Sequence, residues 1–566
     1  MNAADYLVLV GILLGIALYA TWNTRRQDSL RSYLKGSENT HWFTIGLSVM
    51  ATQASAITFL STPGQGYQDG LGFVQNYFGM PLALIVVAAF FLPIFRKLNV
   101  YTAYEFLGSR FDSKTRLLAA GFFLLQRGLG AGLTIYAPAI VLSSVMGWRL
   151  DATIVCSGLV VVLYTVSGGC EAVNLTQKYQ VGVIFAGMAA AFVIVIRSLP
   201  AGLTLSDSLA VAGGFHRLGG VDFSPDPARR YTFWSGTLGG FFLALAYFGT
   251  DQSQVQRYLS GGSLRGSRLG LMFNAVFKVP MQFFILLLGV FLFVFYQFER
   301  PPLFFNRAQW QQGVAHDSSG QLRALEAGFD SIEDRKAAEV KAWLAARRAG
   351  DAAGAEAARS AAEKSQAAAE EIHARAFKAL SSRRPGVSAN ENDYVFVDFI
   401  LDHLPHGLIG LLVAAFFAAA LSSKAGELNA LGSTTTVDLY RHIVRRGADD
   451  SHYVTASRWF TAFWGLVAIG FALFAHLAEN LIQATNILGS VLYGAPLGVF
   501  LVAFFIRRIR GTAVFWGALG AQALVFVLYF RGLPVSYLWY NVIGAAACVG
   551  LSGAIQAVRG GEAAAA

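Results

Sequence analysis

Charge is scarce in this chain. Only 14% of its 566 residues are Asp, Glu, Lys or Arg, against 55% apolar, and the mean hydropathy is +0.49. A soluble protein is about 25% charged. At this level the several soluble domains that length alone suggests have no means of covering their surfaces. Disorder is excluded on the same ground, and no collagen or coiled-coil repeat is present. Cysteine is scarce too. Cys156, Cys170 and Cys548 are too few for a disulfide framework, and each falls in or beside an apolar run, as small packing residues do. The nine histidines are scattered. No H-E-x-x-H motif or paired-acid cluster appears, so no enzyme is indicated. No pore motif repeats, which argues against a channel. A net charge of +10 raises nucleic acid as a partner, but its distribution points to a membrane instead.

What is present is a series of apolar runs. A spanning helix needs about 20 mostly apolar residues. Candidates lie near 5–22, 43–60, 73–95, 117–146, 149–167, 175–196, 232–250, 270–298, 396–435, 458–477, 480–506, 511–530 and 535–557. The fold class is therefore an all-α polytopic membrane protein with about thirteen spans. The first run has no basic region before it and no A-x-A site after it, and reads as a retained helix rather than a signal peptide.

Lys and Arg set the orientation. The odd-numbered loops and the tail carry 21 of them, including Arg25, Arg26, Arg31, Lys35, Arg441, Arg445 and Arg446; the short even-numbered loops carry 6. This places the N-terminus outside and the C-terminus in the cytoplasm, in a bacterial inner (plasma) membrane. The expected domains are 1–299, an extracytoplasmic soluble helical insert at 300–395, and 396–566. The insert is rich in Ala, Glu, Lys and Arg, and reads as one or two helices joined near Gly350–Gly354. It serves either as a spacer or in capturing a solute or partner.

Two runs carry breaks. In the second span, Thr52, Gln53, Ser55 and Thr58 interrupt the apolar stretch, followed by Ser61-Thr62-Pro63-Gly64. Non-helical backbone within a membrane is tolerated only where it lines a cavity or is buried in protein. The alternative is a Pro/Gly kink with hydroxyls bonded back to the helix. Five spans later, the seventh is again rich in Gly and small residues, which fits two five-helix repeats, spans 2–6 and 7–11, or close helix packing. In the ninth span Ala419, Ser422, Ser423 and Gly426 recur at i, i+3, i+4, i+7 and share one face. Its two hydroxyls either offer oxygens to a cation or pack against a neighbour.

At these residues the sequence resembles the sodium:solute symporter family, which includes the sodium/glucose and sodium/proline symporters. The likeness rests on Ser55–Tyr67 with its P-G-Q-G-Y ending, and on Leu98–Phe111, LNVYTAYEFLGSRF. It continues in Tyr164–Gln180, YTVSGGCEAVNLTQKYQ, in Thr250–Leu259, TDQSQVQRYL, and in Ala418–Arg441. The resemblance implies a LeuT-like five-plus-five inverted repeat with extra terminal helices. It also implies sodium-coupled symport of a small organic solute by alternating access. A sodium-dependent sensor on the same fold, without turnover, is the alternative. The expected partners are the solute, Na+ and the bilayer, not nucleic acid.

By the same resemblance, sodium is bound by carbonyls of Ala51, Ala54 and Ala419 and by the hydroxyls of Ser422 and Ser423. The solute is expected among Gln53, Thr58, Tyr77, Tyr247, Lys278, Gln483 and Asn486. The sugar carriers' Gln near Thr58 and Glu near Tyr77 are absent, which argues against a sugar. An intramembrane lysine such as Lys278 is costly and so a functional candidate, unless it pairs with a carbonyl or snorkels. A second sodium, present in some members, needs hydroxyls and an aspartate where this chain has Ala425, Gly426 and Gln177. Lys178 and Lys424 lie nearby, either as fixed charges in the vacated region or snorkelling to the surface. Lys424 also has Glu427 at i+3.

Overall fold

The computed structural model describes residues 2–23, 41–98, 100–383, 391–474 and 481–565. Its regular elements are all helical. Among the described residues, eight helices are long and apolar enough to cross a membrane, and Ala3–Gly15 and Leu150–Leu163 are shorter apolar pieces. The thirteen expected spans are redistributed among these elements.

The first helix, α1 (Ala3–Asn23), carries in its first turn Asp5, whose carboxylate accepts the Gly407 amide at 2.5 Å and the Gly410 amide at 3.3 Å. The second span is divided into α2 (Trp42–Gln53) and α3 (Ala56–Asp69). Thr52 Oγ1 donates back to the Ser48 carbonyl at 2.9 Å, and Ala54 leaves helical geometry at φ −84°, ψ 73°. The interruption falls only there. Helix α3 runs through Ser61–Gly64 despite Pro63, so the second expected break is not formed. Gly64 serves packing instead, because a Cβ there would overlap the Asn392 backbone.

The fourth span is α4 (Ser113–Met146). The loop expected between 149–167 and 175–196 is not formed, since α5 (Leu150–Ser198) is helical over 49 residues. The connecting sequence contains glycines but no proline, so no backbone donor is lost and the ladder continues. At 1.5 Å per residue a straight helix of this length would measure about 74 Å, over twice the ~30 Å hydrocarbon core, which excludes a single straight crossing. Its two ends have different neighbours: Gly158 lies against Ile469, and Gly187 against Leu412 and Ala415.

Beyond α6 (Leu205–Gly214), the seventh span passes from a π-turn at Ser235–Gly239 into α7 (Gly240–Thr250). It stops at Asp251 (φ −79°, ψ 119°) and restarts as α8 (Gln252–Leu259). The discontinuity lies beyond the Gly-rich stretch, whose Gly236 and Gly240 instead let the Gln75 and Asn76 backbone approach. Helix α9 (Leu264–Phe295) then packs along both α2 and α3.

The insert is a hairpin of α10 (Gln321–Arg348) and α11 (Ala352–Arg383), turning at Gly350 with φ +76°. It is docked on the helical bundle. The Trp343 ring meets Phe215 at 6.3 Å, Arg348 bonds Asp207 at 2.7 Å, and Arg307 joins Asp398 at 2.5 Å.

The long span expected at 396–435 is two helices, α12 (Asn392–His403) and α13 (Leu408–Thr434). Pro405 holds Leu404 extended at φ −89°, ψ 143°, and Gly407 adopts φ +89°. Helix α14 (Asp450–Ala472) follows; the expected end of its span near 475–477 lies outside the described residues. The chain closes with α15 (Leu481–Phe505), α16 (Gly511–Phe530) and α17 (Trp539–Ala565).

Candidate functional site

The α2–α3 break opens onto a cavity of about 120 Å³ walled by α2, α3, α4, α7, α9, α13 and α15. Six of the seven solute candidates line it: Gln53, Thr58, Tyr77, Tyr247, Lys278 and Asn486. Gln483 does not. It accepts from Arg230 at 3.1 Å and donates to Gln65 at 3.1 Å. The cavity face of α15 is Ile482, Thr485, Asn486, Gly489 and Tyr493, a 3–4 residue spacing that leaves Gln483 one step round the helix.

Lys278 is 1% exposed and has no hydrogen-bond or ion-pair partner among the described residues. Its Nζ lies 5.9 Å from the Tyr77 ring centroid. It therefore neither pairs with a carbonyl nor snorkels. A lone buried cation is among the most costly groups a membrane protein retains.

At the break, the Ser55 amide bonds to the Gln53 carbonyl and the Thr58 amide to the Ser55 carbonyl. The carbonyls of Ala51 and Ala54 thus lose the amides that a continuous helix would give them. Ser423, buried on α13, donates from Oγ to the Thr52 carbonyl at 3.0 Å and lines the same cavity. Ala51, Ala54 and Ala419 are all buried. The side chain of Ser422 lies outside the described residues.

Beside this face is a charge cluster that the sequence reading did not assemble. Arg127 of α4 donates from Nη1 to Glu427 at 3.1 Å, from Nε to Asp251 at 3.1 Å and from Nη2 to Tyr493 at 2.6 Å. Lys424 Nζ reaches Glu427 at 3.4 Å and also donates to the Ala131 carbonyl. All four ionic groups are buried. The cluster joins α4, the α7–α8 discontinuity, α13 and α15. Arg127 was detectable as a charge inside an apolar span, but its partners are set by tertiary structure. Lys424 pairs with Glu427, and Lys178 sits 4.6 Å from the Tyr179 ring.

Two discontinuous helices facing one cavity, with freed carbonyls beside a hydroxyl-bearing helix, define a secondary transporter of the LeuT-like class. The sodium:solute symporter family profile matches residues 33–302 and 371–520, and the chain belongs to that family. It is similar to human sodium-coupled monocarboxylate transporter 1, 27% identical over 534 residues, which is 92% of this chain and 73% of that protein. Human sodium/iodide cotransporter is 32% identical over 309 residues, 54% of this chain and 47% of that protein. A solved Na+-coupled sialic acid symporter in a substrate-bound outward-open state superposes with a TM-score of 0.73 at 22% identity, covering 98% of both chains. The chain is a membrane-embedded, sodium-coupled solute symporter working by alternating access. The sensor alternative gains no support.

Proposed function

We propose that the solute is a small organic monoanion of the monocarboxylate class, held in the central cavity. The observation that carries this reading is Lys278, a buried cation facing the cavity without a counter-charge. A bound carboxylate supplies that charge and its hydrogen bonds. Thr58, Tyr77 and Asn486 line the same space as polar neighbours, with Gln53 and Tyr247 completing the wall. Size agrees: an engineered cavity of about 150 Å³ holds benzene, so 120 Å³ suits a solute of roughly half a dozen non-hydrogen atoms. The similarity to monocarboxylate transporters supports the same class.

Sodium binds at the break, between the carbonyls of Ala51, Ala54 and Ala419 and the hydroxyls of Ser422 and Ser423. The lost helical amides at Ala51 and Ala54 support this assignment. The N-terminus lies outside and the insert is extracytoplasmic, on the strength of the Lys and Arg bias. The relatives named above are human, and lend the bacterial placement no support.

The test is uptake into proteoliposomes under a sodium gradient. Acetate, propionate and pyruvate are compared with their neutral amides and with iodide. Sodium-driven accumulation of the carboxylates is expected, reduced at least tenfold in kcat/KM by Lys278→Gln. Accumulation of the amides, or of iodide alone, would overturn the assignment.

A further inference from the structure

We propose that Glu427 is a positioning residue for the coupling sodium, acting through the Ser423 hydroxyl. This rests on the reading that sodium binds at the α2–α3 break. A serine hydroxyl has one proton and two acceptor lone pairs. In the structure the Ser423 Oγ donates to the Thr52 carbonyl at 3.0 Å, while Glu427 Oε1 stands 3.4 Å from the same oxygen. To ligate a cation, Ser423 must turn its lone pairs toward the break and its proton away. Glu427 is one turn along the helix, at i+4, on the side of Ser423 facing Arg127. The proton shifts from the Thr52 carbonyl to Glu427 Oε1 as the ion enters. The Thr52 carbonyl is released at the same moment.

Charge favours the same role. Arg127, Lys278 and Glu427 line the cavity, Asp251 and Lys424 are paired to them, and Arg257 lies beyond Thr52, so cationic side chains outnumber carboxylates around it. Carbonyl and hydroxyl ligands are neutral, so without a carboxylate nearby sodium would enter a region of like charge. Glu427 is the carboxylate that touches Ser423. Asp251 lies across the Arg127 guanidinium, which both carboxylates share. Thr134 Oγ1 and Lys424 Nζ hold Glu427 Oε2 at 3.2 and 3.4 Å, while Oε1 accepts from Arg127 Nη1 at 3.1 Å and keeps its second lone pair for the Ser423 hydroxyl.

The experiment reads sodium-dependent thermal stabilisation of the purified full chain without solute. Glu427→Gln should raise the half-saturating sodium concentration at least tenfold, and Glu427→Asp less. In a Ser423→Ala background the same change should have a smaller effect than it has alone, because the hydroxyl it works through is gone. The pair Glu427→Gln with Lys424→Met keeps the test available if the single variant does not fold, and should also stay raised. An unchanged sodium response in Glu427→Gln overturns the proposal. So does strictly multiplicative behaviour with Ser423→Ala, and so does full recovery with Lys424→Met, which would make Glu427 only a counterion for Lys424. An unchanged response in Ser423→Ala alone removes the sodium-site reading itself.

Discussion

Gly64 of α3 rests against the Asn392 backbone so closely that a methyl group would overlap the carbonyl. The half of the broken helix beyond the cavity is thereby keyed to α12, the helix that follows the insert. The obstacle is backbone, which has little freedom to move aside. Gly64→Ala should therefore destabilise by at or above the ~3 kcal/mol upper end of overpacking changes. Gly72→Ala, where a Cβ meets nothing within 4 Å, is the control. Unfolding midpoints in detergent would decide it, and equal midpoints for the two variants would refute the packing account.

Sodium activation tests the break directly. Removing the Ser423 hydroxyl takes one oxygen from an ion that cannot recover it from bulk water in a buried site. Ser423→Ala should raise the half-saturating sodium concentration several-fold in uptake assays, with solute affinity at saturating sodium little changed. A wild-type sodium curve would remove the assignment.

The parts legible in the sequence were those that depend on one helix. The face shared by Ala419, Ser423 and Gly426 follows from helical period alone, and the α2–α3 break from polar residues crowded into an apolar run. A polar residue in a helix does not reveal which face it takes: Gln483 lies off the cavity wall, whereas Asn486, three residues on, lines it. Pro405 and Gly407 marked the α12–α13 boundary, yet the apolar residues on both sides made one long span. Arg127, Asp251 and Glu427 come from three separate segments. Their partnership is a property of packing, and no spacing in the sequence records it.

The insert depends on Trp343, which is 6% exposed and lies against Phe215 and Gly214. Trp343→Ala should cost the docked state about 3–5 kcal/mol, as large aromatic truncations do, and open the face around Val340 and Leu344, buried when docked, to protease. Trp343 lines no part of the central cavity, so half-saturating sodium should stay unchanged. A shift in sodium dependence would instead make the insert part of the transport cycle.

The same docking has a defined pH range. The Arg348 guanidinium, with help from Thr204 and against the cost of burial, holds the Asp207 carboxyl at about 2. A carboxyl depressed below its ordinary 3.8 contributes stability that is complete above that value and lost as pH falls through 2. Hydrogen exchange in Leu205–Gly214, corrected for intrinsic rates, should therefore be equal at pH 8 and pH 5. Asp207→Asn should raise it at both. A contact that loosened between pH 8 and 5 in the wild type would contradict this account.

The stoichiometry should be one sodium per solute. A second ion would need oxygens from the stretch after Ser423 and a carboxylate from α5. Ala425 and Gly426 have no side-chain oxygen, and Gln177 stands where the carboxylate would be. The Gln177 amide is committed elsewhere: it donates to Thr52 Oγ1 at 3.1 Å and accepts from Ser48. A Cβ at Gly426 would meet Thr52 Cγ2 at 3.4 Å and Arg257 Nη2 at 3.7 Å, ordinary contact distances, so Thr52 and Arg257 border that position. The buried Arg257 guanidinium lies beside that position, and the neutral Gln177 amide gives a second cation no counter-charge there as a carboxylate would. Neither Lys178 nor Lys424 is the fixed charge there, the first lying over Tyr179 and the second bonded to Glu427. With a monoanionic solute, one sodium makes each cycle electroneutral, so uptake should not respond to an imposed membrane potential. Two sodium ions would carry one net positive charge inward. A sodium Hill coefficient near two, or uptake that rises with inside-negative potential set by potassium and valinomycin, would rule out the single-ion cycle.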